Sequence, residues 1–350
     1  MRKNLFATTP GIIIVGAVIG LIAVWLQKLG NPANMGICVA CFERDVAGGL
    51  GLHRAAIVQY LRPEIMGLVL GSLAAAIATR EFKPRGGSAP IVRFVLGMIA
   101  AMGALVFLGC PWRAILRLAG GDGNAILGLA GLATGIWFGT LFFKKGYSLG
   151  RSNSQSVVSG ALFPVIAVCL LLLYLIFPQI PDQPQSGPLF YSVKGPGSQH
   201  APFIASLGLA FIIGIFAQRS RFCTMGAFRD HLFLGLAAMF AAAFIANALT
   251  GGLKFGFEGQ PVAHSDFLWN YLGMVTAGLA FALAGGCPGR QLFMAGEGDS
   301  DAGIFALGMA MAHNLGTASS GTGIGVYGMQ ATIIGFAVCL IIGFVHSKKA

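Results

Sequence analysis

Long apolar segments separated by short polar ones run the whole length of the chain. Each is roughly 16 to 20 residues long, close to the length of helix that crosses the hydrocarbon core of a bilayer. One such run would also fit a buried helix of a soluble protein, but ten together do not. The pattern predicts an all-α polytopic membrane protein with about ten spans, at residues 11–28, 64–79, 91–108, 125–143, 159–177, 202–217, 232–250, 269–285, 301–315 and 328–346.

Composition and charge support this class. Of the 350 residues, 56% are hydrophobic and 10% are charged, whereas soluble domains carry about 25% charged residues. The net charge of +11 would suit a nucleic-acid partner, but the charges lie at span ends and in short loops, so the expected partner is the lipid bilayer and not nucleic acid. In the predicted topology, most of the 23 lysines and arginines lie on the same side of the membrane as the N-terminus. Positive charge is enriched on the cytoplasmic side, so both termini are predicted to be cytoplasmic.

A Pro/Gly-rich stretch divides the chain into two halves. We expect residues 1–178 to form the first membrane half, residues 179–200 an external loop, and residues 201–350 the second half. Each half has five predicted spans, and because five is odd, the second half must enter the membrane from the opposite side. Sequence similarity between the halves would therefore indicate an inverted internal repeat, as in many transporters.

Two motifs repeat in the same order. GCPWR at 109–113 is followed by Gly-Asp at 121–122, and GCPGR at 286–290 is followed by Gly-Asp at 298–299, at a constant offset of 177. CVACFERD at 38–45 and CTMGAFRD at 223–230 share the form C-x5-R-D at an offset of 185. The two motifs together predict an internal duplication.

The GCPxR pentapeptide predicts the start of a short helix. Proline is favoured at the first helical position, so the cysteine before it becomes the N-cap, and glycine permits a sharp turn. The positive end of the helix dipole then faces the sulfur. The stretch 111–119 is too short to cross a bilayer, which favours a re-entrant half-helix. The C-x5-R-D segments are interpreted similarly, giving four short re-entrant half-helices.

These half-helices would bring four thiols together near the molecular axis. A pore lined by these thiols suits a small anionic selenium or sulfur solute. Protonated thiols are polarisable weak hydrogen-bond donors, and conduction needs weak binding at several sites. The alternative for each cysteine is a small buried hydrophobe. The candidate pore residues are Cys38, Cys110, Cys223, Cys287, Arg113 and Arg290, with secondary candidates Cys41, Arg44, Asp45, Arg229 and Asp230.

Several other roles stay open or are structural. Arg113 and Arg290 either bind the anion or cap a carbonyl. The Arg-Asp pairs at 44–45 and 229–230 are expected to tie the re-entrant tips together. Asp122 and Asp299 should cap the following span. Packing alone is expected of the two remaining cysteines, Cys169 and Cys339.

The motifs resemble the YeeE/YedE family of bacterial inner-membrane proteins, which have a sulfur-transport domain. The resemblance covers nearly the whole chain and rests on CTMGAFRD, on LAGGCPGRQLFMAGEGD and on their first-half counterparts. It implies a pore lined by Cys38, Cys110, Cys223 and Cys287. The chain looks most like the YedE branch, which is linked to selenium transport, while other members take up thiosulfate. A cytoplasmic sulfur or selenium carrier protein is an expected partner. Cys41 has no place in the family pattern.

Three function classes compete on the sequence. The first is a selenium or sulfur permease or channel that acts without covalent chemistry, cofactor or metal; no phosphate-binding loop for ATP is present. The second is a membrane thiol oxidoreductase that uses Cys38 and Cys41, whose C-x-x-C spacing is not repeated in the second half. The third is a soft-metal transporter for Cu(I), against which the adjacent arginines argue.

Overall fold

A computed structural model describes residues 4–227, 232–312 and 324–347 of the chain. The described residues are mostly helical, and their only strands are two antiparallel two-residue pairs, β1 (Arg85–Gly86) with β2 (Asn153–Ser154) and β3 (Gln185–Ser186) with β4 (Leu189–Phe190). The helices are α1 (Thr9–Lys28), α2 (Val39–Gly49), α3 (Pro63–Ala78), α4 (Pro90–Val106), α5 (Pro111–Ala119), α6 (Asn124–Lys144), α7 (Val157–Ile176), α8 (Phe203–Ser220), α9 (Thr224–Ala227), α10 (Leu232–Leu249), α11 (Phe267–Ala284), α12 (Pro288–Gly296), α13 (Ser300–Met311) and α14 (Gly328–Val345).

A helix lies at each of the ten predicted spans, although the end of the ninth, residues 313–315, lies outside the described residues. Within the described residues, seven segments are long and apolar enough to cross a membrane, and three of them join a long helix to the short helix that follows it. Three further apolar segments are shorter, at Pro63–Ala78 in α3, Phe233–Leu249 in α10 and Ser300–Met311 in α13. The chain is therefore a membrane-embedded helical protein, as the sequence predicts.

Local sequence signals set the helix ends. Proline occupies the first turn of α1, α3, α4, α5 and α12, where its missing N–H costs no hydrogen bond. Side-chain oxygens cap other starts: Ser156 accepts from an amide of α7, and Asp266 from an amide of α11. These caps explain why pattern alone predicts the helix bounds to within a few residues.

The two halves of the chain are interleaved. Helix α6 packs along α11, α4 along α13, α3 along α8, and α1 along α10, so each of these pairs joins one half to the other. Glycines bring the backbones close: a Cβ at Gly135 in α6 would lie 2.1 Å from the carbonyl oxygen of Val275 in α11. Small residues at such crossings are typical of helix packing in membranes.

Burial is distributed as expected for a protein surrounded by lipid. Helix α11 is mostly buried in the centre, whereas α7 and α14 are largely exposed and carry large apolar side chains on their outer faces. Cys339 is buried, in line with its expected packing role, but Cys169 is exposed on α7, so that expectation was wrong for Cys169. Exposed apolar residues cost nothing against acyl chains, and composition alone does not tell a lipid-facing cysteine from a packed one.

Candidate functional site

Both GCPxR segments start a nine-residue helix, as predicted. Cys110 is the N-cap of α5 with φ −77° and ψ 172°, and Cys287 is the N-cap of α12 with φ −70° and ψ 165°. The backbone amides of Arg113 and Arg290, three residues into the helices, face the sulfurs of Cys110 and Cys287, but neither contact has the geometry of a serine or aspartate cap. Both sulfurs are thus placed at a helix start and face its first amides.

The Gly-Asp element after each short helix also has one local structure. Gly121 and Gly298 adopt left-handed φ values of 94° and 95°, which glycine reaches without steric cost. Asp299 then caps α13 by accepting from the amide of Ala302 at 3.1 Å. Asp122 accepts from the amide of Asn124 at 2.9 Å, at the first residue of α6. The predicted capping role is confirmed for Asp299, whereas the N-cap of α6 is Gly123 and Asp122 lies one residue before it.

The cysteines of the other motif are N-caps too. Cys38 precedes α2, and its sulfur accepts from the amide of Cys41 at 3.4 Å. In the second half, the Cys223 sulfur accepts from the amide of Gly226. Position 226 is the counterpart of position 41 at the offset of 185, so C-x-x-C in one half corresponds to C-x-x-G in the other.

The four motif thiols form two pairs, one in each half. The sulfurs of Cys223 and Cys287 lie 3.9 Å apart. The side chains of Cys38 and Cys110 are close enough to interact with each other. All four are buried and none is in a disulfide. Each pair joins the cysteine of one C-x5-R-D segment to the cysteine of the GCPxR segment in the same half.

The guanidinium N–H groups of Arg113 donate to acceptors within the protein. Its Nε donates to the carbonyl of Asn34 at 3.2 Å and its Nη2 to the carbonyl of Val262 at 2.8 Å. Its Nη1 donates to the carbonyl of Leu108 and to the Cys41 sulfur, the latter at 3.5 Å. The side chain is fully buried. Of the two roles that the sequence left open, carbonyl capping is the one that this geometry displays.

Arg290 has a different environment. Its Nη1 lies 3.2 Å from a carboxylate oxygen of Glu297, at the far end of the same short helix. The same carboxylate lies 3.5 Å from Arg85. The Arg290 guanidinium is close enough to act electrostatically on Cys223.

The Arg-Asp pair of the first half is a buried network. The Asp45 carboxylate accepts from Arg44 and from Arg62, each at 2.8 Å, and all three side chains are fully buried. Arg62 also donates to the carbonyls of Gln199 and Pro196 in the segment before α8. The pair therefore ties α2 to that segment. Its predicted counterparts Arg229 and Asp230 lie outside the described residues.

Trp112 lies between the two thiol pairs, and the motif reasoning did not single it out. It follows Cys110-Pro111, and its ring centroid is 5.8 Å from that of Phe222, the residue before Cys223, and 5.9 Å from that of Phe293. Its indole edge also faces Gly289, two residues after Cys287. The signal available in the sequence was the one difference between the two pentapeptides, Trp against Gly.

A second buried group was also missed. Arg117, on the far turn of α5, pairs with Asp122 at 2.6 Å with both side chains fully buried. Its guanidinium stands 4.1 Å above the ring of Phe107. Among the described residues, no group of three His, Cys, Asp or Glu side chains is arranged to hold a metal ion.

No family model and no curated protein matches the sequence. The resemblance to the YeeE/YedE family therefore stays a prediction that rests on the sequence motifs alone.

Proposed function

We propose that this protein is a permease or channel of the bacterial inner membrane for a small anionic selenium or sulfur species. The solute passes between buried thiols without covalent change. The observation that carries the proposal is that each half contains one pair of thiols at helix starts, inside a membrane-embedded fold. These pairs are Cys38 with Cys110 and Cys223 with Cys287. Broken helices at membrane depth are typical of transport sites.

An inverted repeat is part of the proposal, and matched backbone contacts support it. Lys83 and Arg85 donate to the carbonyls of residues 297 and 298 at 2.9 and 3.1 Å. Lys254 and Gly256 donate to the carbonyls of residues 120 and 121 at 2.8 and 3.1 Å. The acceptors differ by the same 177 positions as the GCPxR motifs. Each half thus holds the other's short helix in the same way.

The contact between Trp112 and Gly289 supports a pseudo-twofold axis for the proposed repeat. These residues are counterparts at the offset of 177, and they face each other across the two halves. A residue that contacts its own counterpart lies close to the pseudo-twofold axis. The two thiol pairs flank this contact, which supports a path along the axis from one pair to the other.

The proposed topology has ten spans and two cytoplasmic termini. Four of the spans are followed by a short re-entrant helix. Contacts between loops are consistent with it. Lys28 donates to the carbonyl of Thr250 at 2.6 Å, and both are assigned to the outside. Asn4 donates to the carbonyl of Arg219 at 2.7 Å, and the amide of Ser148 donates to the carbonyl of His346 at 3.1 Å; all four are assigned to the cytoplasm.

The substrate class follows from the chemistry of the pairs. Thiols are polarisable weak donors that can bind a soft anion without trapping it. The positive ends of α5 and α12 favour a negative solute at the adjoining sulfurs. The resemblance to the YedE branch suggests selenium, and thiosulfate uptake is the alternative within the same class. A cytoplasmic sulfur or selenium carrier protein would take over the delivered solute.

Uptake by cells tests the proposal. Cells that carry the protein should accumulate labelled thiosulfate, selenite or selenide above the level of cells without it. Cys110→Ala and Cys287→Ala should each abolish most of that uptake, whereas the matched control Cys339→Ala, at a buried thiol in α14 far from the motifs in sequence, should retain it. Unchanged uptake of all three anions in both motif variants would refute a thiol-lined path.

A membrane thiol oxidoreductase is the second candidate, because Cys38, Cys41 and Cys110 lie in one cluster. The amide of Cys41 reaches the sulfur of Cys38, the arrangement that places a C-x-x-C pair at a helix start. Cys41→Ala separates the two functions. Transport should survive the change, since the second half has glycine at this position, whereas disulfide exchange measured with a fluorescent dithiol substrate should be lost.

A further inference from the structure

The indole N–H of Trp112 is a buried donor with no acceptor among the described residues. The residue is 1% exposed, and its Nε1 has no hydrogen-bond partner among the residues that the structure describes. Buried tryptophans usually bond their N–H, and an unpaired buried donor costs about 1–3 kcal/mol. The cost suggests that a partner absent from the polypeptide completes this site.

The six-membered ring of the Trp112 indole lies beside the start of α12. A Cβ at Gly289 would stand 3.5 Å from Cε2 of Trp112, the carbon bonded to Nε1, and 3.4 Å from Cζ2. Cys287, the N-cap of α12, is two residues before this glycine, and its sulfur is 3.9 Å from that of Cys223. The indole ring, two thiols and the positive end of a helix are therefore close neighbours.

The ring is held in place before any ligand arrives. Phe222 contacts it edge-on at an interplanar angle of 71°, and Phe293 packs against it at 36°. Proline at the first position of α5 fixes the backbone immediately before it. A donor that is already positioned loses little freedom when it binds, so its hydrogen bond contributes more of its strength to affinity.

We infer that Trp112 is a substrate-binding residue whose indole N–H donates a hydrogen bond to the anion held at the Cys223–Cys287 pair. The inference rests on the proposed function and adds a basis for selectivity. The site takes a soft anion that also offers a strong acceptor, such as thiosulfate with its oxygens. A neutral thiol or a cation such as Cu(I) leaves the indole donor unpaired and is disfavoured.

The test is a titration of purified protein in nanodiscs with thiosulfate, selenite and selenide. The four tryptophans give four indole ¹⁵N–¹H resonances, and Trp112→Phe or elimination through the other three identifies that of Trp112. The bound anion should shift this resonance to higher proton frequency. Trp112→Phe keeps an aromatic ring but removes the donor, and should weaken binding about tenfold, which is about 1.4 kcal/mol. Trp137→Phe, on the exposed face of α6, is the matched control and should bind as tightly as the unaltered protein.

The outcomes separate the two proposals. If an anion binds, Trp112→Phe binds it equally well and the Trp112 resonance stays in place, this inference is wrong while the transport proposal stands. If none of the three anions binds or is transported by the unaltered protein, both are wrong. Should Trp112→Phe fail to fold, as judged by size-exclusion chromatography, the resonance of Trp112 in the unaltered protein decides the question alone.

Discussion

Loss of the buried Asp45 carboxylate is expected to destabilise the protein strongly. It accepts from Arg44 and Arg62 at 2.8 Å each, in a region where none of the three side chains is exposed. Asp45→Asn removes the negative charge at nearly constant volume and presents N–H groups to guanidinium donors. Breaking a buried ion pair by removing one partner costs about 3–5 kcal/mol, a large part of the roughly 5–15 kcal/mol that stabilises a typical domain.

Thermal unfolding in detergent, followed by tryptophan fluorescence, measures the effect. At about 2 °C per kcal/mol for a chain of this size, Asp45→Asn should lower Tm by about 6–10 °C. The matched control is Glu81→Gln, which breaks a 3.0 Å pair with Arg219 in which the glutamate side chain is 41% exposed. Exposed pairs contribute about 0–1 kcal/mol, so its Tm should fall by no more than about 2 °C. Equal Tm values for the two variants would refute the argument that Asp45 holds α2 in place.

Three further predictions concern pH, packing and topology. Burial lowers the pKa of His200 below its ordinary value, so the folded state favours the neutral ring. The contribution of His200 to stability should be fully present above about pH 6.5 and should be lost as the pH falls below that value. Measured as Tm against pH, the loss of stability on acidification should be smaller in His200→Gln. Gly135→Ala places a Cβ 2.1 Å from a backbone oxygen of α11 and should lower the free energy of unfolding by about 1–3 kcal/mol. Gly208→Ala, at a helical site with no neighbour within 4 Å, should raise it by about 0.5–1 kcal/mol. Chemical denaturation measures both free energies. An impermeant maleimide should label Asp182→Cys in intact cells but Ser152→Cys only after permeabilisation; the reverse result would overturn the orientation.

The helices could be predicted from sequence because their signals are local. Apolar length sets each span, and Pro111 and Pro288 set the starts of α5 and α12 with cysteine at the N-cap. Asp299 likewise predicts the start of α13, which it caps. In these segments, propensity, turn chemistry and burial favour the same conformation, so no information from distant residues is needed.

The partners of the functional side chains could not be predicted, since they come from distant parts of the chain. Arg113 donates to carbonyls of residues 34 and 262, and Arg62 joins Asp45 to the segment before α8. A motif shows that an arginine is placed at a helix start but not which acceptors the fold brings to it. Where the fold supplies enough carbonyls, as at Arg113, the donors are satisfied internally and less remains for an anion.

The difference between the two pentapeptides has a physical reason in the proposed repeat. Near a pseudo-twofold axis, counterpart residues occupy neighbouring space, so two tryptophans there would overlap and two glycines would leave a void. Trp112 against Gly289 fills the space with one ring. If the halves are duplicates, they are therefore required to differ at this position even if they agree everywhere else in the motif. A consequence of the two proposals is an asymmetric path, in which the indole donor of Trp112 belongs to the first half but would serve the Cys223–Cys287 pair of the second.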